Sequence, residues 1–293
     1  MTGTLLAVTV GLALVVPTLA WAQDVRIRSG LTYARVDGKT LRLDIYSPGG
    51  VEAPPLLVWV HGGVWAGGTK EDVPLVFVAN GIATASIDFR QSTDARFPAQ
   101  VHDIKAAIRF LRAKASEYGY RADRIAIAGD SSGGHLAALV GVTNGHRELE
   151  GTVGNDLDQS SSVQAILDYY GASNLMTILA QSTPYGLSVR EPGLKRLLGA
   201  LPANAKALAE LASPVFHVDR NDPPLLLFHG DEDPQMPIEQ SRELESVYRK
   251  MGLDVYLDVV RGAAHGGPVF FSPERLQRAL AFLRRTLVVR SAP

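Results

Sequence analysis

The 293-residue sequence contains no cysteine, which excludes disulfides, thiolate metal sites and a cysteine nucleophile at once. It has no surplus of charge either. Twenty-nine Lys and Arg stand against 30 Asp and Glu, a formal −1, so nothing marks a partner among nucleic acids or anionic membranes. A small or neutral substrate fits this balance better. Internal repeats and low-complexity linkers are also missing, and only one long apolar run occurs. What is present is ordinary globular usage, 46% hydrophobic and 20% charged, enough to fill one large core in one domain. No metal or organic cofactor is implied.

The single long apolar run, Leu5 to Ala20, is followed by Ala20-Trp21-Ala22, the small-x-small pattern that signal peptidase requires. The run is short for a spanning helix. Residues 1–22 are therefore expected to be a cleaved signal peptide, with 23–293 forming one exported domain, periplasmic or secreted.

From about residue 30 the chain alternates short β-rich apolar runs with longer helical patterns, which predicts an α/β fold with a doubly wound, mostly parallel sheet. Strands are expected at Leu41 to Tyr46 (antiparallel), Leu56 to Val60, Ile82 to Phe89, Arg124 to Ala128, Val163 to Tyr169, Leu225 to Phe228 and Val255 to Val260. Helices are expected at Pro98 to Tyr118, His135 to Val142, Ile238 to Met251 and Pro273 to Leu287. Residues 172–222 interrupt the alternation with Pro, Gly and short helical patterns. An insertion there would lie over the carboxyl ends of the strands, as a small lid.

Gly129-Asp130-Ser131-Ser132-Gly133 places a G-x-S-x-G pentapeptide between a strand and a helix, the context that a nucleophile elbow demands. Small residues at Gly129 and Gly133 let Ser131 sit exposed on a strained turn. The strand Leu56 to Val60 runs into His61-Gly62-Gly63-Val64-Trp65, which matches an HGGG-type oxyanion loop except that Val64 stands at the third glycine. The N–H groups of Gly62, Gly63 and Ser132 are the expected oxyanion donors, and His61 is expected to be structural. Two further loops follow strands. One is His229-Gly230-Asp231-Glu232-Asp233-Pro234 and the other Gly262-Ala263-Ala264-His265-Gly266. The order Ser131, Asp233, His265 is the Ser, Asp, His order of α/β hydrolases, with His265 as general base and Asp231 as the rival acid.

These segments resemble the esterase and lipase branch related to hormone-sensitive lipase, especially bacterial feruloyl and acetyl-xylan esterases. HGGVWAGGTK, RIAIAGDSSGGHLAA, SPVFHVDRNDPPLLLFHGDEDPQMP and AAHGG carry the resemblance across residues 61 to 267. The resemblance implies that the aspartate of an HGxxDxxVP segment, here Asp233, is the triad acid. It also implies a carboxylic ester hydrolase whose partner is a small ester or an acylated carbohydrate. Short or compact aromatic acyl groups are expected, because no long apolar lid helix is visible to line a deep acyl groove.

The stretch HGDEDPQMPIEQSRELESVYRKMG also resembles the C-terminal part of prolyl-oligopeptidase-type peptidases, so an amide-cleaving relative, a peptidase or a formamidase, stands as the alternative. Such a peptidase is expected to carry a large domain ahead of the elbow, and about a hundred residues precede the elbow after the expected leader. A non-catalytic binding module, the third reading, should have lost a member of the Ser131, Asp233, His265 set.

N-terminal sequencing of protein recovered from the cell envelope or medium should begin at Gln23; a sequence starting at Met1 or Thr2 would overturn the leader.

Overall fold

The structure is a computed structural model, and it describes residues 24–287. The expected leader lies outside them.

Five consecutive apolar residues at Leu56–Val60 cannot leave either face in water, so they form a strand buried on both sides. This strand, β3, lies inside an eight-stranded sheet with β1 (Val25–Val36), β2 (Lys39–Pro48), β4 (Ala83–Ile87), β5 (Ile125–Asp130), β6 (Ala165–Tyr169), β7 (Leu225–Gly230) and β8 (Val255–Val260). The order is β1-β2-β4-β3-β5-β6-β7-β8. β1 pairs antiparallel with β2, and β2 with β4, while every other neighbour pair is parallel.

Alternate residues of the central strands feed two separate cores, as period-2 geometry requires. Leu56, Val58 and Val60 face the larger one, together with the helices Ala99–Ala113 and Ser132–Gly141. Leu57 and Trp59 face the smaller one, filled by Tyr169, Phe228 and Phe270 and by Leu280 and Leu283 of the helix Pro273–Leu287. Register matters more for the site. Val60 pairs with Gly129, Asp130 with Tyr169 and Gly230 with Val260, which brings the carboxyl ends of β3, β5, β6, β7 and β8 side by side.

The doubly wound α/β architecture is the one expected, with local differences. β1 was not foreseen, because register shifts between Arg28 and Leu31 and between Thr32 and Ala34 break its alternation. The helix expected over 98–118 ends at Ala113, and a separate turn Ala115–Tyr118 follows it.

The 172–222 segment holds a longer helix than its composition suggests, Pro184–Leu198, which contains Pro192. Thr183 starts it by accepting the Gly186 N–H at 3.0 Å, and Pro184 follows at the first helical position, where no N–H is needed. The helix stays in place by touching two loops at once. Thr183 Oγ1 donates to the Pro234 carbonyl (2.6 Å), Arg190 Nε donates to the Gln235 carbonyl (3.2 Å), and Gly193 packs on Val64 and Trp65. Among the described residues no helix is long and apolar enough to cross a membrane.

Candidate active site

β5 ends at Asp130 and the helix Ser132–Gly141 starts two residues later, so one residue must turn the chain from extended to helical. That residue is Ser131, at φ 53° and ψ −120°, a region that side chains rarely occupy. The turn survives because its surroundings fix it. The Ser131 N–H donates to the Tyr169 carbonyl (2.8 Å), and Gly133 lies so close to the Val60 and His61 carbonyls that any Cβ would overlap them.

The loops after β7 and β8 deliver the other two side chains. His265 Nε2 lies 2.9 Å from Ser131 Oγ, and its Nδ1 lies 2.6 Å from Asp233 Oδ2. Asp233 Oδ1 accepts the N–H groups of Gln235 and Met236, both at 2.8 Å. Burial alone would raise the Asp233 carboxyl. The His229 ring 3.6 Å away, the His265 bond and the backbone donors outweigh that and hold it well below the usual carboxylate range. An ionised carboxylate here fixes the His265 tautomer with Nδ1–H toward Asp233 and Nε2 free to take the serine proton. Asp231 faces elsewhere: it is exposed and accepts the Gly262 N–H at 2.6 Å.

The expected oxyanion donors divide. The Gly62 N–H does not face the serine, because it donates to Asp130 Oδ1 at 3.0 Å. A carboxylate 68 positions away in sequence has taken it, and no local pattern announces that. Among the described residues none accepts from the N–H of Gly63, Val64 or Ser132. Gly63 and Val64 line the roughly 220 Å3 cavity at Ser131, along with Tyr170, Gln235 and Gly266. Val64 adopts φ 56°, so the valine in place of the third glycine keeps a left-handed backbone. The Ser132 N–H stands at a helix start, where the dipole favours negative charge. Sequence reasoning missed the unpartnered Val64 N–H at the cavity and Asp130 as the anchor of the loop. The position of Asp130 inside the pentapeptide was the only available hint.

Several histidines are structural. His61 is buried, with Nδ1 2.9 Å from the Gly62 carbonyl and its ring stacked on Phe89. His135 accepts the Trp65 indole N–H at Nδ1 (2.9 Å) and its Nε2 lies 2.7 Å from the Ala212 carbonyl; burial pushes its pKa down to about 4. Among the described residues no cluster of His, Asp and Glu is arranged to hold a metal ion.

The BD-FAE family model matches residues 43–248. Esterase LipC of Mycobacterium tuberculosis is 32% identical over 220 residues, covering 72% of this chain and 53% of LipC. A solved structure of a truncated carbohydrate esterase from gut microbiota superposes with a TM-score of 0.82 at 31% identity, covering 89% of this chain and 96% of that one. The esterase of the planctomycete Thermogutta terrifontis, solved with butyrate bound, superposes at 0.72 with 26% identity, covering 92% of this chain and 96% of that one. The same esterase is also solved phosphonylated by sarin. The chain spans about half the length of the curated relatives it matches.

Two buried carboxylates lie behind the serine. Burial raises Asp130 to about 6 and Asp168 to about 7. Asp168 accepts the Gly171 N–H at 2.8 Å through Oδ1, while its Oδ2 has no partner among the described residues. A carboxyl whose folded pKa lies above its unfolded value stabilises the fold at low pH and loses that contribution as pH rises through the folded value. Asp168→Asn keeps an acceptor for Gly171 and never ionises. Urea melts should show the variant gaining on the order of 2 kcal/mol over the parent at pH 8, but little at pH 4. Equal pH slopes for both proteins would contradict this account.

Proposed function

The chain belongs to the BD-FAE family, and from that premise we propose that it is an exported serine carboxylic ester hydrolase working through an acyl-enzyme. The observation that carries this reading is the relay from Asp233 through His265 to Ser131, with three unclaimed N–H groups beside it.

In this reading His265 Nε2 takes the proton of Ser131 Oγ as the oxygen attacks the ester carbonyl. The oxyanion that forms is held by the N–H groups of Gly63, Val64 and Ser132; a donor of this kind contributes about 3–4 kcal/mol. Asp233 stays ionised and stabilises the imidazolium. His265 then passes its proton to the departing alcohol. Water enters by the same route, with His265 again as base, and releases the acid.

The size of the site supports a short acyl group. The cavity at Ser131, about 220 Å3, matches a short or compact acyl group in size. The butyrate-bound neighbour and the carbohydrate esterase neighbour point the same way, toward short acyl groups on a polar, sugar-like alcohol. The helix Pro184–Leu198 acts as a lid that braces the acid and oxyanion loops.

A fluorophosphonate should label the purified protein one to one, and Ser131→Ala should abolish both label and turnover. Asp233→Asn should lower kcat by about 10⁴, while Asp231→Asn changes it by less than about tenfold. Label retained by the serine variant would rule out the nucleophile, and the opposite ranking of the two aspartates would move the acid to Asp231. Across p-nitrophenyl esters from acetate to palmitate, kcat/KM should peak at about two to four carbons, since a longer chain would outgrow the small cavity at Ser131 before it gained roughly 0.8 kcal/mol per further methylene. A steady rise past octanoate would mean a long-chain lipase.

A further inference from the structure

Packing accounts for the ring of Tyr170 and leaves its hydroxyl over. The residue directly follows β6 at φ 46°, a backbone region that an aromatic side chain rarely occupies, and its N–H donates to the Phe228 carbonyl at 2.7 Å. The turn brings the ring across the strand ends. It lies edge-on to His265 at 4.8 Å and to Phe270 at 4.6 Å, contacts that a phenylalanine ring would make equally well.

The hydroxyl, in contrast, belongs to the site. A Cβ placed on Gly266, the residue after the general base, would lie 3.5 Å from Tyr170 Oη, and Tyr170, His265 and Gly266 all line the cavity at Ser131. Oη has no hydrogen-bond partner among the described residues, and unlike the indole nitrogen of Trp59 it is not enclosed. Burial, with the carboxylates of Asp130, Asp233 and Asp168 around it, holds the phenol well above its ordinary pKa. It therefore keeps its proton and can donate it in a hydrogen bond.

Its place says which substrate atom it meets. When the alcohol departs, its oxygen must stand within reach of His265 Nε2, and the rest of the alcohol must lead out of the small cavity at Ser131. Tyr170 flanks the imidazole and also lines a wider cavity of about 560 Å3, walled by Trp59, Asp72 and Phe271 as well, into which the alcohol can extend.

We infer that Tyr170 Oη donates a hydrogen bond to the alcohol oxygen as it departs, alongside the proton from His265. The inference rests on the ester-hydrolase reading above. As the tetrahedral intermediate collapses, the carbon–oxygen bond breaks and its electron pair goes to the departing oxygen. That oxygen takes the proton of His265 Nε2, while Tyr170 retains its own proton and only shares it. Negative charge gathers on the oxygen in the transition state, so the bond is stronger there than in the bound ester and speeds the step. An alkoxide leaves poorly and needs this help most. p-Nitrophenolate, stable as an anion, needs little.

The test compares the parent with Tyr170→Phe on ethyl, trifluoroethyl, phenyl and p-nitrophenyl acetate, which form the same acetyl-enzyme and differ only in the group that leaves. The variant should lose about tenfold or more in kcat/KM on ethyl acetate and less than about threefold on p-nitrophenyl acetate, with the other two between, so that its rates depend more steeply on leaving-group basicity. No loss, or an equal loss on all four in a variant whose Ser131 still takes the fluorophosphonate, overturns the inference. Should the variant fail to label, 3-fluorotyrosine at position 170, a stronger donor of nearly the same shape, decides: it should raise the ethyl-to-p-nitrophenyl ratio, and an unchanged ratio overturns the inference. A parent that hydrolyses none of the four acetates overturns the ester-hydrolase reading and this one with it, whereas a parent active on them with an unmoved ratio in the variants overturns this one alone.

Discussion

The backbone of Ser131, at φ 53° and ψ −120°, costs a non-glycine residue about 1–3 kcal/mol, and the site depends on the chain being unable to escape it. The sheet supplies the restraint. β6 holds the Ser131 N–H through the Tyr169 carbonyl, and β3 presses its last carbonyls onto Gly133. The acid and base loops are joined in the same manner, with the Glu232 N–H on the Ala263 carbonyl at 3.1 Å and Gly230 in tight contact with Ala263. Strand register brings the Ser131, Asp233 and His265 loops together, and the loop bonds then allow the 2.9 and 2.6 Å distances along the relay.

The same framework sorts carboxylates by what surrounds them. Asp130, Asp168 and Asp233 sit within one crowded layer at the strand ends, yet burial raises the first two, while donors on both oxygens hold the third low. Asp233 can therefore remain an anion beside His265. Asp130 has one backbone donor from the loop after β3, and by taking the Gly62 N–H it pins that loop, leaving the Gly63 and Val64 N–H groups without a partner among the described residues at the edge of the cavity. Arg190 adds a buried positive charge on the other side. Its guanidinium lies over Trp65 at 5.9 Å, holds the Gln235 carbonyl and is pushed down to about 10 by burial. One helix of the insertion thereby steadies both the loop that carries Asp233 and the loop that carries Gly63 and Val64.

Much of this was legible along the chain, since the rules involved are local. A continuous apolar run such as Leu56–Val60 has no option but a doubly buried strand. A Gly-x-Ser-x-Gly between strand and helix forces a sharp turn wherever it occurs, and the placing of Asp233 and His265 after successive strands follows from the α/β alternation. The α/β architecture was settled at that level. β1 escaped because its bulges erase the period-2 signal, and Pro184–Leu198 because Gly186, Pro192 and Gly193 argue against a helix that tertiary contacts nonetheless hold.

What only the tertiary structure decided are pairings between distant residues. Whether the Gly62 N–H faces the substrate or a carboxylate depends on Asp130, 68 positions on, and no spacing rule reaches that far. The burial of Arg190 against Trp65, and a cavity assembled from Trp59, Asp72, Tyr170 and Phe271, likewise exist only once five strand ends are aligned. The sequence by itself determined which chemistry the chain carries, because hydroxyl, imidazole and carboxylate sit in short motifs read residue by residue. Packing decided which N–H groups remain free and what shape surrounds them, because a donor's availability and a cavity's walls belong to neighbours that are remote along the chain.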